Sequence, residues 1–147
     1  MKLLGLLTIL MVSLLPMASA SEPPLPTECL QIDGHKFTVE IAKTPEQQQR
    51  GLQHRKHLKA DKGMIFLFSP PSQQAFWMKD CDIPLDLLYF SNNQLVHYVD
   101  SAPPCYMQAK DCPVYASEEP IDSVVELKAG TRQKLGFKTG SELKLCP

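Results

Sequence analysis

Three carboxylates and a thiol crowd the stretch Lys79-Asp80-Cys81-Asp82-Ile83-Pro84-Leu85-Asp86, two residues after the chain's one tryptophan, Trp77. Paired carboxylates can divide acid and base roles in glycoside hydrolysis, so Asp80, Asp82 and Asp86 are the residues on which a hydrolase would be built. Carboxylates this close together at a turn are, however, usually solvated. A Cys81 nucleophile would need a histidine base, and none of His35, His54, His57 and His97 stands at a spacing that implies contact. The plainer reading of Cys81 is a small buried residue left as a free thiol. His54 and His57 with Met64, Met78 or Cys81 offer ligands for a soft copper centre, but no pair has a diagnostic spacing, so neither a metal nor a cofactor is expected. Glycine-rich phosphate loops and metalloprotease motifs are absent.

Two of these residues gain meaning from alternation. Along Leu85 to Phe90, Asp86 shares a face with Leu88 and Phe90, an apolar side where an unpaired carboxylate is costly, so it needs a partner. In Phe76-Trp77-Met78-Lys79, Trp77 and Lys79 point one way while Phe76 and Met78 point the other. Trp77 then serves either as a stacking platform for a sugar or aromatic ligand or as core packing beside a snorkelling lysine.

The elements that must position these residues are mostly strands. Cys29 to Ile32 and Lys36 to Ile41 flank Asp33-Gly34, a dipeptide suited to a tight hairpin turn. Thr44-Pro45-Glu46-Gln47 supplies an N-cap hydroxyl, a proline at the first helical position and a glutamine three residues on, opening a short helix that Gly51 ends. Gly63 to Phe68 is apolar on both alternating faces, as in a central strand covered on each side. Gln73 to Lys79, Leu85 to Phe90 and Gln94 to Asp100 read as a meander, Ser101 to Pro120 as a proline-rich surface loop. Val124 to Leu127, a turn or helix at Thr131 to Leu135, and a strand at Glu142 to Leu145 close the chain. Many short strands and little helix predict a mainly β fold, a β-sandwich or barrel-like domain with one or two short helices.

The whole sequence has 147 residues, 44% of them hydrophobic, and a formal charge of −1. That composition fits one ordinary globular domain and offers no basic surface for nucleic acid. Lys2, the apolar run Leu3 to Leu15, and Ala18-Ser19-Ala20 form a tripartite export signal with cleavage after Ala20. The run is shorter than the roughly 20 residues a membrane span requires, and the first cysteine, Cys29, lies nine positions beyond Ala20, too far for a lipid anchor. The expected organisation is a cleaved signal at 1–20, a flexible leader at 21–28 and a single β domain at 29–147, periplasmic or secreted. Export makes disulfides possible. Cys105 and Cys112 sit in one proline-rich loop, and closing it would stabilise by about 2.5 kcal/mol. Cys29 and Cys146, near the two ends of the domain, are a second possible pair, which leaves Cys81 over.

A family resemblance rests on Arg50-Gly51-Leu52 with Arg55, Gly63-Met64-Ile65-Phe66, Phe76-Trp77-Met78-Lys79 and Ile83-Pro84-Leu85-Asp86, followed by Val125-Glu126-Leu127-Lys128-Ala129-Gly130 and Leu135-Gly136-Phe137-Lys138-Thr139-Gly140. In that order these residues resemble the domain-of-unknown-function 192 family of bacterial and archaeal proteins. The resemblance implies a mostly β, jelly-roll-like domain, often exported, with a cysteine pair at Cys105 and Cys112 in exported members and no established activity. Asp80 and Cys81 depart from the asparagine and threonine usual there. Arg55 and Lys79, both inside those motifs, are the candidate partners of Asp86, and Arg55, Trp77, Lys79, Asp80 and Asp86 together make a candidate pocket for a small polar or anionic ligand. A structural ion pair is the competing reading. The sequence therefore points to an exported protein that binds a small polar ligand or an envelope partner without catalysis. A hydrolase built near Asp80 and Asp86 and a purely structural interaction domain are the alternatives.

Overall fold

The computed structural model describes residues 23–147; the export signal expected at 1–20 lies outside them. Asp33 and Gly34 take positive φ, 46° and 85°, which turns Thr27–Ile32 (β1) antiparallel onto His35–Ala42 (β2). The strand starts two residues ahead of Cys29, and just before it Pro26 already accepts the Ile41 N–H at 2.9 Å. Thr44 caps the helix Pro45–Arg50 (α1): its hydroxyl accepts the Gln47 N–H while the Gln47 side chain accepts the Thr44 N–H, an arrangement that contributes about 1 kcal/mol. The helix carries the chain over to Lys62–Ser72 (β3), which runs parallel to β2.

Ala75–Trp77 (β4) follows, then Leu85–Ser91 (β5), Gln94–Ala102 (β6), Val114–Ala116 (β7), Ile121–Lys128 (β8), the helix Thr131–Leu135 (α2) and Leu143–Leu145 (β9). Seven strands form one sheet in the order β6-β5-β8-β3-β2-β1-β9. Leu95 N–H donates to Ser141 O at 2.9 Å and Leu143 N–H to Asn93 O at 2.8 Å, so the run entering β9 reaches back to β6 and the sheet curls into a half-barrel.

The expected meander is corrected at its first strand. β5 and β6 form a hairpin, but β4 is only three residues long and pairs with β7 in a separate small sheet. The proline-rich loop thus contains a strand of its own, as well as a single 3₁₀ turn at Ala109–Asp111. Tyr89 fastens this second layer to the first, its hydroxyl donating to Tyr115 O at 2.9 Å.

The two faces of the curled sheet bury separate cores. Leu30, Ile32, Phe37, Val39, Ile65, Leu88, Phe90, Val125 and Leu127 pack inside the curl with Phe137. Met64, Phe66, Leu85, Leu87, Tyr89 and Val124 pack on the other face, beneath α1, β4 and the Cys105–Cys112 loop. Strand β3 supplies both cores through strict alternation, Met64 and Phe66 one way and Ile65 the other, which is why it reads as apolar throughout. Truncating a ring such as Phe66 to alanine would cost about 3–5 kcal/mol. Disulfides join Cys29 to Cys146 and Cys105 to Cys112, and Cys81 is free and buried. No helix among the described residues is long and apolar enough to cross a membrane.

Candidate functional site

A cleft of about 290 Å³ opens where α1, the end of β3 and β4 meet over the second core. Phe66, Phe68, Phe76 and Trp77 supply aromatic walls, Gln48, Gln49, Gln53 and Gln74 supply carboxamides, and Lys79, Cys81 and Glu126 complete it. Its volume lies at the small end of the range for ligand sites, about 300–1,000 Å³.

Local structure fixes each wall. Gln48 Nε2 donates to Leu67 O at 2.8 Å, seating α1 on β3, and the turn after α1 is tied down where His54 N–H donates to Asp80 O at 2.9 Å. Asp80 has φ of 58°, a left-handed conformation that aspartate and asparagine tolerate better than most residues. Backbone geometry thus accounts for its residue type without a ligand. Phe76 stands edge-on to Phe66 at 5.0 Å, to Phe68 at 6.3 Å and to Tyr89 at 5.9 Å, so the rings lock one another at near right angles.

The base of the cleft is Glu126, on β8 between β3 and β5. Strand β3 approaches β8 closely here because residue 63 is glycine: a Cβ at Gly63 would lie 2.4 Å from the Glu126 carbonyl oxygen. Glu126 is 5% exposed, and its Oε2 is buried with no hydrogen-bond partner among the described residues. Burial pushes its carboxyl up to about 8, so at pH 7 it is mostly protonated. Burial, reinforced by the carboxylates of Glu126, Asp82 and Asp80, also pushes the Cys81 thiol up to about 12. Tyr89 is raised for the same first reason, burial, with Glu126 adding to it. A neutral thiol is a poor nucleophile.

The residues singled out from sequence do not form one pocket. Trp77, 39% exposed, and Lys79 line the cleft; Arg55, Asp80 and Asp86 do not. Arg55 grips Glu40 through two contacts of 2.6 Å in a shallow site of its own, and Lys79 pairs with its neighbour Asp80. Asp86 is fully buried on the opposite face of the sheet, and its expected arginine or lysine partner is corrected to three backbone donors. Oδ1 accepts the N–H of Ser101 at 2.9 Å and of Gly130 at 3.0 Å, and Oδ2 accepts the N–H of Arg132 at 2.8 Å. Asp82 pairs with Lys56 at 2.7 Å, so the three acids considered for hydrolysis go to three different partners. Among the described residues no group of three or more His, Cys, Asp or Glu side chains is placed to hold a metal ion.

Glu126 escaped the sequence reading, although a single acid in the otherwise apolar run Val124 to Leu127 was the available signal. A larger cavity of about 890 Å³ lies at the open end of the curl, lined by Leu30, Ile65, Leu67, Leu143 and Leu145. Its acids are already engaged: Glu142 pairs with Lys144 at 2.8 Å, and Asp122 accepts the Asn92 N–H at 2.7 Å.

Residues 28–145 match the family DUF192, whose description reads "Uncharacterized ACR". Two solved structures share the fold. One is a protein of Sinorhizobium meliloti 1021 described as a candidate transcription regulator, 31% identical with a TM-score of 0.77 over 85% of this chain and 98% of that one. The other, a protein of unknown function from Novosphingobium aromaticivorans DSM 12444, is 28% identical with a TM-score of 0.75 over 90% of this chain and 91% of that one. No curated protein matches the chain.

Proposed function

The chain belongs to the DUF192 family, and from that premise we propose that it binds a small polar ligand in the Glu126 cleft without transforming it. One observation carries this reading: a carboxyl oxygen at the base of an open, aromatic-walled cleft is buried without a partner. Leaving such a group unsatisfied costs about 1–3 kcal/mol, which a ligand's donor offsets. Binding is preferred over catalysis because, among the described residues lining the cleft, Glu126 has no second carboxylate or histidine beside it, and the Cys81 thiol there is held neutral. Nucleic-acid binding is not part of the proposal, since a formal charge of −1 supplies no basic surface. The two disulfides and the N-terminal pattern favour a periplasmic or secreted setting.

Trp77 is the chain's one tryptophan and lines the cleft, so its fluorescence reports occupancy directly. A screen of small polar fragments should find saturable changes in Trp77 emission that Glu126→Gln abolishes while circular dichroism is unchanged. No saturable fragment, or hits indifferent to Glu126→Gln, would remove the basis for the reading. Intact mass of protein recovered from an exporting host should show residues 1–20 gone; a retained leader would sink the export proposal. A second reading, an envelope protein as partner, draws on exposed Tyr106, Met107 and Val114, the last paired with Trp77 across β4 and β7. Val114→Ser with Tyr106→Ser should then abolish pull-down of that partner and leave fragment binding intact.

A further inference from the structure

The cleft's polar groups are unequally served. Lys79 is paired with Asp80, and Arg50, which also lines the cleft, is engaged in a contact of its own. Glu126 Oε2, by contrast, faces neither a donor nor a cation. Phe66, Phe76 and Trp77 share the cleft with the acid, alongside the carboxamides of Gln48, Gln49, Gln53 and Gln74, and the Phe66 and Phe76 rings meet at 89°. A neutral hydroxyl brought to Oε2 gains one hydrogen bond. An ammonium gains a charge-assisted one, roughly twice as strong, and aromatic walls add to it where a ring face meets the charge. Aromatic walls beside a buried acid suit a positive charge on an apolar body.

Resting on the reading that this cleft binds a small ligand, we infer that the ligand is an organic cation, a primary amine whose ammonium sits against Glu126 and whose apolar body packs against Phe76 and Trp77. Binding is then coupled to protons. Burial keeps Glu126 mostly protonated at pH 7, and an arriving ammonium favours its ionised form, so a proton leaves. Cys81 and Tyr89 stand near the carboxyl, both raised well above neutrality, and Lys79 and Arg50 line the same cleft. The proton released near neutrality therefore comes from Glu126.

Benzylamine and its neutral counterpart benzyl alcohol are suitable probes, titrated into the full chain at pH 7 by calorimetry in two buffers of different ionisation heat, with Trp77 fluorescence in parallel. The expected result is benzylamine binding at least about tenfold tighter than the alcohol, with release of nearly one proton. Glu126→Gln should abolish both the discrimination and the release, and Phe76→Leu should weaken the amine several-fold while leaving proton release in place. Equal affinity for the two probes, or amine binding without proton release, overturns the cation inference and leaves the cleft reading standing. Binding of neither probe also overturns it, and the fragment screen on Trp77 then decides the cleft reading independently.

Discussion

Asp86 and Glu126 are neighbours on adjacent rungs of the same ladder, Asp86 opposite Leu127 and Leu87 opposite Glu126, yet they face opposite sides of the sheet and lead opposite lives. On the inner side, Asp86 gathers N–H groups from Ser101, Gly130 and Arg132, uniting the end of β6 with the start of α2. The Arg132 side chain is itself clamped by Asp100 at 2.7 Å and lies 4.0 Å over the Tyr98 ring. On the outer side, Glu126 ends in an oxygen that no group among the described residues answers. Equal burial therefore says little about role. A buried acid whose oxygens are filled by backbone donors holds the fold together, and one left unfilled beside a cleft is available to something else.

The contrast predicts a ranked set of effects. Asp86→Ala strands three buried donors and should lower unfolding free energy by about 4–6 kcal/mol in urea titrations; a loss under about 1 kcal/mol would show that Asp86 is not the junction described. Next comes pH. The folded Glu126 carboxyl is raised from 4.5 to about 8, so the native state binds the extra proton between those values. Stability is then fully present below about pH 4.5 and falls as pH rises to about 8, by roughly 3–5 kcal/mol, levelling beyond it. Glu126→Gln should flatten this slope in urea midpoints measured from pH 5 to 9, and an unchanged slope would place its origin elsewhere. Asp33, Asp82 and Asp100 work in a different window. Hydrogen bonds from Ser141, Lys56 and Arg132 respectively hold their carboxyls below the usual range, so their contribution is lost only as pH falls through acid values.

Gly63→Ala probes the outer side through the backbone. Its Cβ would press on the Glu126 carbonyl, costing about 2–3 kcal/mol and perturbing Trp77 emission while leaving the Arg132 and Gly130 amides protected in hydrogen exchange. Trp77→Ala should be the mildest, within about 0.5 kcal/mol in thermal melts, because the side chain is partly exposed; a large loss would make it a core residue instead.

The parts of this fold that were readable from sequence are the local ones. The Asp33-Gly34 turn, the Thr44–Gln47 capping box and α2 at Thr131–Leu135 depend on residues a few positions apart, and each forms where its chemistry predicts. What escaped depends on distance along the chain. Strand β4 pairs with β7, and Phe76 meets Tyr115 across 39 positions of sequence, through a proline-rich run whose composition hides a strand. Asp86 showed its need for partners by alternation, but the donors are backbone groups, which carry no residue-type signature. Glu126 stood in the sequence as a single acid among the apolar residues Val124, Val125 and Leu127. Whether it met a cation, a donor or a cleft depended on which element covered that face.

The Cys29–Cys146 bond spans 117 positions of sequence and ties the first strand to the residue just past the last. Mechanically, this makes almost the entire fold a bypassed loop. Tension applied through residues flanking the two cysteines would run across one covalent link and leave the hydrogen-bonded sheet unloaded. Pulled by single-molecule force spectroscopy, the oxidised protein should show no unfolding extension from within that loop. Reduction should expose roughly 400 Å of hidden contour length, so the reducing power of the surroundings decides whether this domain yields to force or simply transmits it.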